Sequence, residues 1–373
     1  EDGDGQPDTY FYVVNPLKLE QQLNQSFADI ISRGVSYVAP VVSVDQSNRT
    51  QSGDELYMPF FKPMPNNYWQ GNLKKYGLDY LSRDECGRPN QEWTVVDKDG
   101  NVAGECDGTF KSTTTSFWST TNDGGYVNRG GVGELLKDSM PGLDPFQVPA
   151  SGPYYDFRNI YTYKGGALTR FNRANITNAD LAVATDLDRY RIINYIYGYT
   201  FDADGTTGDP KAKREWILGD MIHSQPRVID YLDETGNLER RYIAIGSNDG
   251  MLHVFTDMDI PSLGYSAGDE IFAFVPADLL IRLKELASTA THIYLVDGAP
   301  NLFVSPTFDD ANTNGLRDAG EYYEKTLVFG ERRGGRSYWA LDMTEPDPSL
   351  WSVKWHVEGG FGGTTGFQEL GYT

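Results

Sequence analysis

Residues 241–255 read RYIAIGSNDGMLHVF, and the order of residue types there decides the fold class. Two runs rich in β-branched and aromatic residues flank Gly246 and Asn248-Asp249-Gly250, which reads as strand, tight turn, strand. The scheme returns at 325–342, KTLVFGERRGGRSYWALD, with Gly330 in the place of Gly246. A further strand follows each unit, EIFAFVP at 270–276 and SVKWHV at 352–357, and DLLIRLKELA at 278–287 reads as a helical insert between them. Strand, turn, strand, connection, strand is the sequence form of propeller blades. We therefore expect a mainly β chain, a modified β-propeller of quinoprotein-like repeats with helical and loop insertions.

Outward from that block, LYMPFF (56–61), YWQGNLKKYGL (68–78) and EWTVV (92–96) read as aromatic strands. Residues 108–175 are rich in Gly, Ser, Thr and Asn, and GGYVNRGGVGELL (124–136) reads as a structured loop ending in a helical turn. Helices are expected over 15–34, opened by Asn15-Pro16, and over 178–197, ending before Gly198. The expected organisation is an N-terminal segment, 1–56, then a partial propeller, 57–373, with insertions at about 108–215. Two clear repeats are fewer than a ring needs, the chain begins inside an Asp-Gly loop, and it stops at FQELGYT. The ring is thus expected to be completed by the remainder of a longer polypeptide or by a second chain.

The charge balance narrows the partners. Against 53 Asp and Glu stand 32 Lys and Arg, a formal net charge of −21, which repels nucleic acid and anionic membrane surfaces. No apolar run is long enough to span a membrane. The chain starts with Glu1 and shows no basic-then-apolar leader, consistent with a processed segment of an exported precursor. Cys86 and Cys106 bracket VVDKDGNV, where Asp99-Gly100 suggests a type I′ hairpin. A disulfide between them is expected, closing a loop of about twenty residues and contributing roughly 3 kcal/mol; the alternative is two buried thiols.

The acidic residues gather in short Gly- and Asn-rich loops. DDANTNGLRDAGE, 309–321, lies between the strand-like NLFVSPTF and YYEKTLVFGE and is longer than a hairpin needs. With Gly315 sixth, Asp310 falls first, Asn312 third, Asn314 fifth, Leu316 seventh through its carbonyl, Asp318 ninth and Glu321 twelfth. That is the full pattern of a calcium loop, in which alternate groups of a tight coil converge on one hard cation and the sixth residue turns sharply. An EF-hand flanks its loop with helices, whereas strands flank this one, so Glu321 is the least secure ligand. EDGDGQPD at the start places Asp2, Asp4, Gln6 and Asp8 at positions three to nine of a candidate second metal loop. FDADGTTGD, 201–209, has Thr200 and Gly208 where ligands belong and reads as a turn.

Catalytic patterns are not visible. His223, His253, His292 and His356 are scattered without metal-ligand spacing, and no nucleophile elbow or phosphate loop appears. His223 and His253 read as satisfied core histidines, and Arg332, Arg333 and Arg336 as ion-pair partners on a blade turn.

REWILGDMIHSQPRVIDY, RYIAIGSNDGMLHVF and GDEIFAFVPADLL, spread over 214–280, resemble the PilY family of type IV pilus tip proteins. So do FKPMPNNYWQGNLKKYGL (61–78), RIINYIYGY (191–199), YWALDMT (338–344) and ELGYT (369–373). The resemblance implies an exported, extracellular, non-enzymatic protein carried at the pilus tip with minor pilins. It also implies support of pilus assembly, opposition to retraction, adhesion to host or abiotic surfaces, and calcium held by Asp310, Asn312, Asn314, Leu316 and Asp318. No Arg-Gly-Asp tripeptide is present. The competing class is a quinoprotein-like calcium-dependent dehydrogenase; against it, Cys86 and Cys106 are not the vicinal pair such enzymes usually carry.

Overall fold

A computed structural model describes residues 36–37, 41–42, 55–81, 92–106, 109–143, 153–200, 208–287, 291–308, 310–311 and 313–358. Its first sheet is antiparallel. Strands β1 (Ser36–Tyr37) and β2 (Val41–Val42) both pair with β3 (Glu55–Lys62), which pairs with β4 (Gln70–Leu81) and through it with β5 (Glu92–Val96). The aromatic runs are therefore strands, as expected. The Asp99-Gly100 turn differs from expectation. Gly100 has φ +79°, Asp99 does not share a positive φ, and Gly100 N donates to Asp97 O at 3.0 Å. The turn is thus centred one residue earlier, on Lys98-Asp99, with Gly100 in the left-handed position after it. Asp97 imposes this by accepting from the Asp99 and Asn101 amides at 3.0 and 2.9 Å.

Beyond β5 the chain forms helix α1 (Gly131–Asp138), the single turn α2 (Pro153–Asp156) and helix α3 (Asp186–Ile196). The helix expected over 178–197 starts late because the preceding residues take other bonds. Thr177 N donates to Asp180 at 2.6 Å, Ala182 has φ +48°, and Thr185 caps the helix by accepting from Asp188 N. The expected helix at 15–34 lies outside the described residues.

The repeat around Gly246 folds as β8 (Arg227–Leu232), β9 (Leu238–Gly246), β10 (Leu252–Thr256) and β11 (Glu270–Val275) in one antiparallel meander. The repeat around Gly330 does the same with β12 (Asn301–Phe308), β13 (Tyr323–Gly330), β14 (Tyr338–Asp342) and β15 (Ser352–Val357). Each unit has gained a leading strand, β8 or β12, so each contains a four-stranded antiparallel meander, the strand arrangement that a propeller blade also has. The insert between them is a 3-10 stretch, Ala277–Ala287, that buries Leu279, Leu280, Leu283 and Leu286. Strands β6 (Ile160–Lys164) and β7 (Ala167–Arg170) extend the first meander, β6 running parallel to β11. The chain is mainly β, and none of its three sheets closes on itself among the described residues.

Strands β10 and β11 are buried throughout, and β9 from Arg241 to Gly246, the pattern of a sheet covered on both faces. One large apolar core joins them to α3, Tyr57 of β3, and Leu327, Trp339 and Leu341 of the second meander. A smaller cluster, Leu56, Met58, Phe60, Tyr76, Ala103 and Val127, lies against the other face of β3 and β4. Two ion pairs tie the first sheet to the second, Lys75 to Asp257 at 2.7 Å and Arg241 to Glu55 at 2.6 Å, and Lys75–Glu55 at 2.6 Å and Arg241–Asp230 at 2.7 Å complete the network within each sheet.

Candidate functional site

The described residues of the loop between β12 and β13 form a tight coil. Asp310 is its hub, one carboxylate oxygen accepting from Asn314 N at 3.0 Å and the other from Gly315 N at 2.7 Å. Gly315 takes φ +76° and Thr313 φ +58°, the left-handed conformations that a sharp turn demands. Asn314 Oδ1 accepts from Leu316 N, and its amide donates to Asp318 at 2.8 Å. Glu321 is buried and reaches back across the coil, accepting from Ala311 N at 3.0 Å and Asp318 N at 2.8 Å. Strand flanks therefore do not turn Glu321 away from the loop. Asn312 lies outside the described residues. Among those described, no three His, Cys, Asp or Glu side chains form a metal-holding group; in this arrangement the carboxylates of Asp310 and Glu321 are turned onto backbone amides.

Arg317 anchors the loop to the first meander. Its guanidinium donates to Leu232 O at 3.1 Å, Glu321 O at 3.0 Å and Asp233 O, while Tyr322 donates to Glu239 at 2.8 Å. The loop thereby forms one wall of an open cleft of about 1050 Å³ between the two meanders, lined by Leu232, Thr235, Val304, Pro306, Leu316 and Tyr323.

The histidines belong to a different region. His253 is fully buried in β10, Nδ1 2.7 Å from Glu270 and Nε2 3.0 Å from Asp249. Burial opposes its charge, but the two carboxylates outweigh burial and hold the imidazole up at about 9. Arg158 completes the cluster with Nε and Nη2 on Glu270 at 2.6 and 2.7 Å; against the burial that would raise it, Glu270 is held down at about 2. His292 lies 2.7 Å from buried Asp220 and against the Trp69 ring. His223, in a bend before β8, is 2.8 Å from buried Asp297. His356 stacks on Trp339. Sequence reading expected His223 and His253 to be satisfied, and each has its carboxylate. It missed the acids behind them, Asp220, Asp249, Glu270 and Asp297, which carry no local signal. Arg332 approaches Asp297 at 3.7 Å, Arg333 lies over the Tyr294 ring, and Arg336 is exposed.

Of the remaining expected site residues, Cys106 lies exposed in a turn beyond β5, and Cys86 is outside the described residues. So are Asp2, Asp4, Gln6 and Asp8 of the candidate second loop.

Comparison with curated proteins adds one consistent likeness. Over 373 aligned residues the chain is 28% identical to the type IV pilus biogenesis factor PilY1 of Pseudomonas aeruginosa strain UCBPP-PA14, covering 91% of this chain and 26% of that protein. The chain is similar to PilY1. The strain PAO1 PilY1 is 30% identical over 364 residues, covering 89% of this chain and 26% of the relative. A PilY1 homolog of Xylella fastidiosa strain Temecula1 is 26% identical over 370 residues, covering 90% and 22%. The chain thus spans about a quarter of the length of the PilY1 proteins it matches. No protein-family profile and no solved structure matches it. Among the described residues no helix is long and apolar enough to cross a membrane.

Proposed function

We propose that the protein is a type IV pilus biogenesis factor whose propeller-like portion carries a calcium-responsive loop at 310–321. The observation that carries this reading is the likeness to PilY1 proteins along nine-tenths of the chain; their names describe a biogenesis factor, not an enzyme. In this reading the protein stands outside the cell at the pilus tip with minor pilins, supports assembly, biases extension against retraction and contributes to surface adhesion. A disulfide between Cys86 and Cys106 suits that oxidising setting.

Calcium is assigned to Asp310, Asn312, Asn314, Leu316, Asp318 and Glu321. Two observations support it: the coil with Gly315 in the left-handed region, and Glu321 folded back over the loop entrance. The donor set is all oxygen, as a hard cation prefers. Binding would exchange several carboxylate–amide bonds for metal–oxygen bonds. Because Arg317 joins the loop to Leu232 and Asp233, ordering it would stiffen the cleft between the meanders. The test is deletion of the gene in its own host, with surface pili counted by electron microscopy. Loss of pili, restored by the intact gene, is expected; normal piliation would overturn the assignment.

A further inference from the structure

Lys74 and Asp123 occupy a place the proposed function does not use. Both side chains are completely buried, and Lys74 Nζ lies 3.0 Å from Asp123 Oδ2. The lysine is on β4 opposite Met58 in register, so it enters the face carrying the smaller apolar cluster, with Nζ 5.2 Å from the Phe60 ring centre. Its further acceptors are two main-chain carbonyls, those of Asp123 at 3.2 Å and Gly124 at 3.0 Å. Gly130 and Gly131 close the site. A Cβ on Gly130 would fall 2.4 Å from Asp123 Oδ2, and one on Gly131 would fall 3.0 Å from Lys74 Cγ. Both glycines have positive φ, and these short distances leave no room for a side chain at either position.

The two carboxylate oxygens of Asp123 are held differently. Oδ1 accepts from the Ser116 backbone N–H at 2.8 Å. Oδ2, the oxygen nearest Lys74, lies 2.7 Å from Ser116 Oγ and 3.0 Å from Ser119 Oγ. Ser119 Oγ itself accepts from Gly131 N at 2.8 Å and lies 2.7 Å from Ser116 Oγ.

From this geometry we propose that Lys74 and Asp123 condense to an intramolecular isopeptide bond between Lys74 Nζ and Asp123 Cγ. One proton passes from the ammonium to Oδ2, giving a neutral amine beside a carboxylic acid. The nitrogen attacks Cγ, forming the C–N bond, while Oδ1 gathers negative charge on the Ser116 N–H. A second nitrogen proton moves to Oδ2, the Cγ–Oδ2 bond breaks, and that oxygen leaves as water. Oδ1 remains as the amide oxygen, still on Ser116 N–H. Ammonium and carboxylate thus become amide plus one water, with no oxidant or reductant required. Burial favours the first transfer on the lysine side, where desolvation is the largest influence and lowers the basicity of Lys74 despite Asp123. Fixed approach of amine to carboxyl supplies the orientation that free reactants lack. The product braces β4 covalently to the 114–131 segment and removes a buried charge pair.

Intact-mass spectrometry of the purified, reduced and denatured protein is the test. The expected mass is that of the sequence less one water, and trypsin should fail to cut after Lys74, leaving a branched peptide that joins the Lys74 and Asp123 segments. Lys74→Arg and Asp123→Ala should each restore the mass calculated from the variant sequence. Even if both variants fold poorly, the mass of the unaltered protein is decisive. A full sequence mass together with ordinary cleavage after Lys74 would show a non-covalent buried ion pair and overturn the proposal.

Discussion

Arg158 forks onto Glu270 with both contacts under 2.8 Å while His253 holds the same carboxylate from the other side. Two cationic groups, Arg158 and His253, thus balance two carboxylates, Glu270 and Asp249, inside the first meander. Removing one member leaves the others buried and uncompensated. Arg158→Met is expected to destabilise the fold by about 3–5 kcal/mol, measured by urea unfolding. A loss within about 0.5 kcal/mol would mean that the cluster rearranges at no cost.

Glu331 gives a pH dependence of defined sign. Burial first, and then Asp278, push its carboxyl up to about 9. The folded protein therefore retains a proton that the unfolded chain releases above the ordinary carboxylate range, and this contribution falls as pH rises from about 4.5 towards 9. Glu331→Gln should stabilise the protein at pH 8 by about 1–3 kcal/mol and have little effect at pH 4. Thermal unfolding of both proteins across that range checks it, and an equal offset at both ends would contradict it.

Gly71 is irreplaceable for a steric reason. A Cβ there would lie 1.9 Å from the Gly219 carbonyl oxygen and 2.8 Å from Asp220 Cα, both backbone atoms. Neither can swing aside as a side chain could. Gly71→Ala is expected to cost about 3 kcal/mol, at the upper end of overpacking effects, by chemical denaturation. Unchanged stability would show that β4 and residues 218–220 separate freely.

Calcium should stabilise the protein through the 310–321 loop. At a hundredfold excess over its dissociation constant, one ion bound only to the folded state contributes about 2.7 kcal/mol. Isothermal titration and melting curves should show saturable uptake that Asp310→Ala abolishes, since that side chain is the hub of the coil. Equal uptake by both proteins would place the ion elsewhere.

The loop was legible in the sequence because all its determinants lie within thirteen consecutive residues. The meanders were legible for a similar reason, as each strand pairs with its neighbour in the chain, and Gly marks every connection but the one from β14 to β15. Local patterns could not show that β6 belongs beside β11, because that pairing joins residues more than a hundred positions apart. They also could not show that Arg158, Glu270 and Asp249 meet, since each alone looks like an ordinary polar residue. The Asp-Gly signal at 99–100 misled because the Asp97 side chain, and not the dipeptide, governs that turn.

The β6–β11 pairing has a temporal consequence. As the chain emerges from its N-terminus, β6 and β7 can form their hairpin at once, but the edge of β6 that pairs with β11 has no partner until Val275 has been made. Through that interval Ile160, buried in the finished protein, lacks its cover. Closing so long a span carries an entropic cost before any contact offsets it. The docking of β6 on β11 should therefore be a late event in folding, and the hairpin the part most in need of protection while it waits.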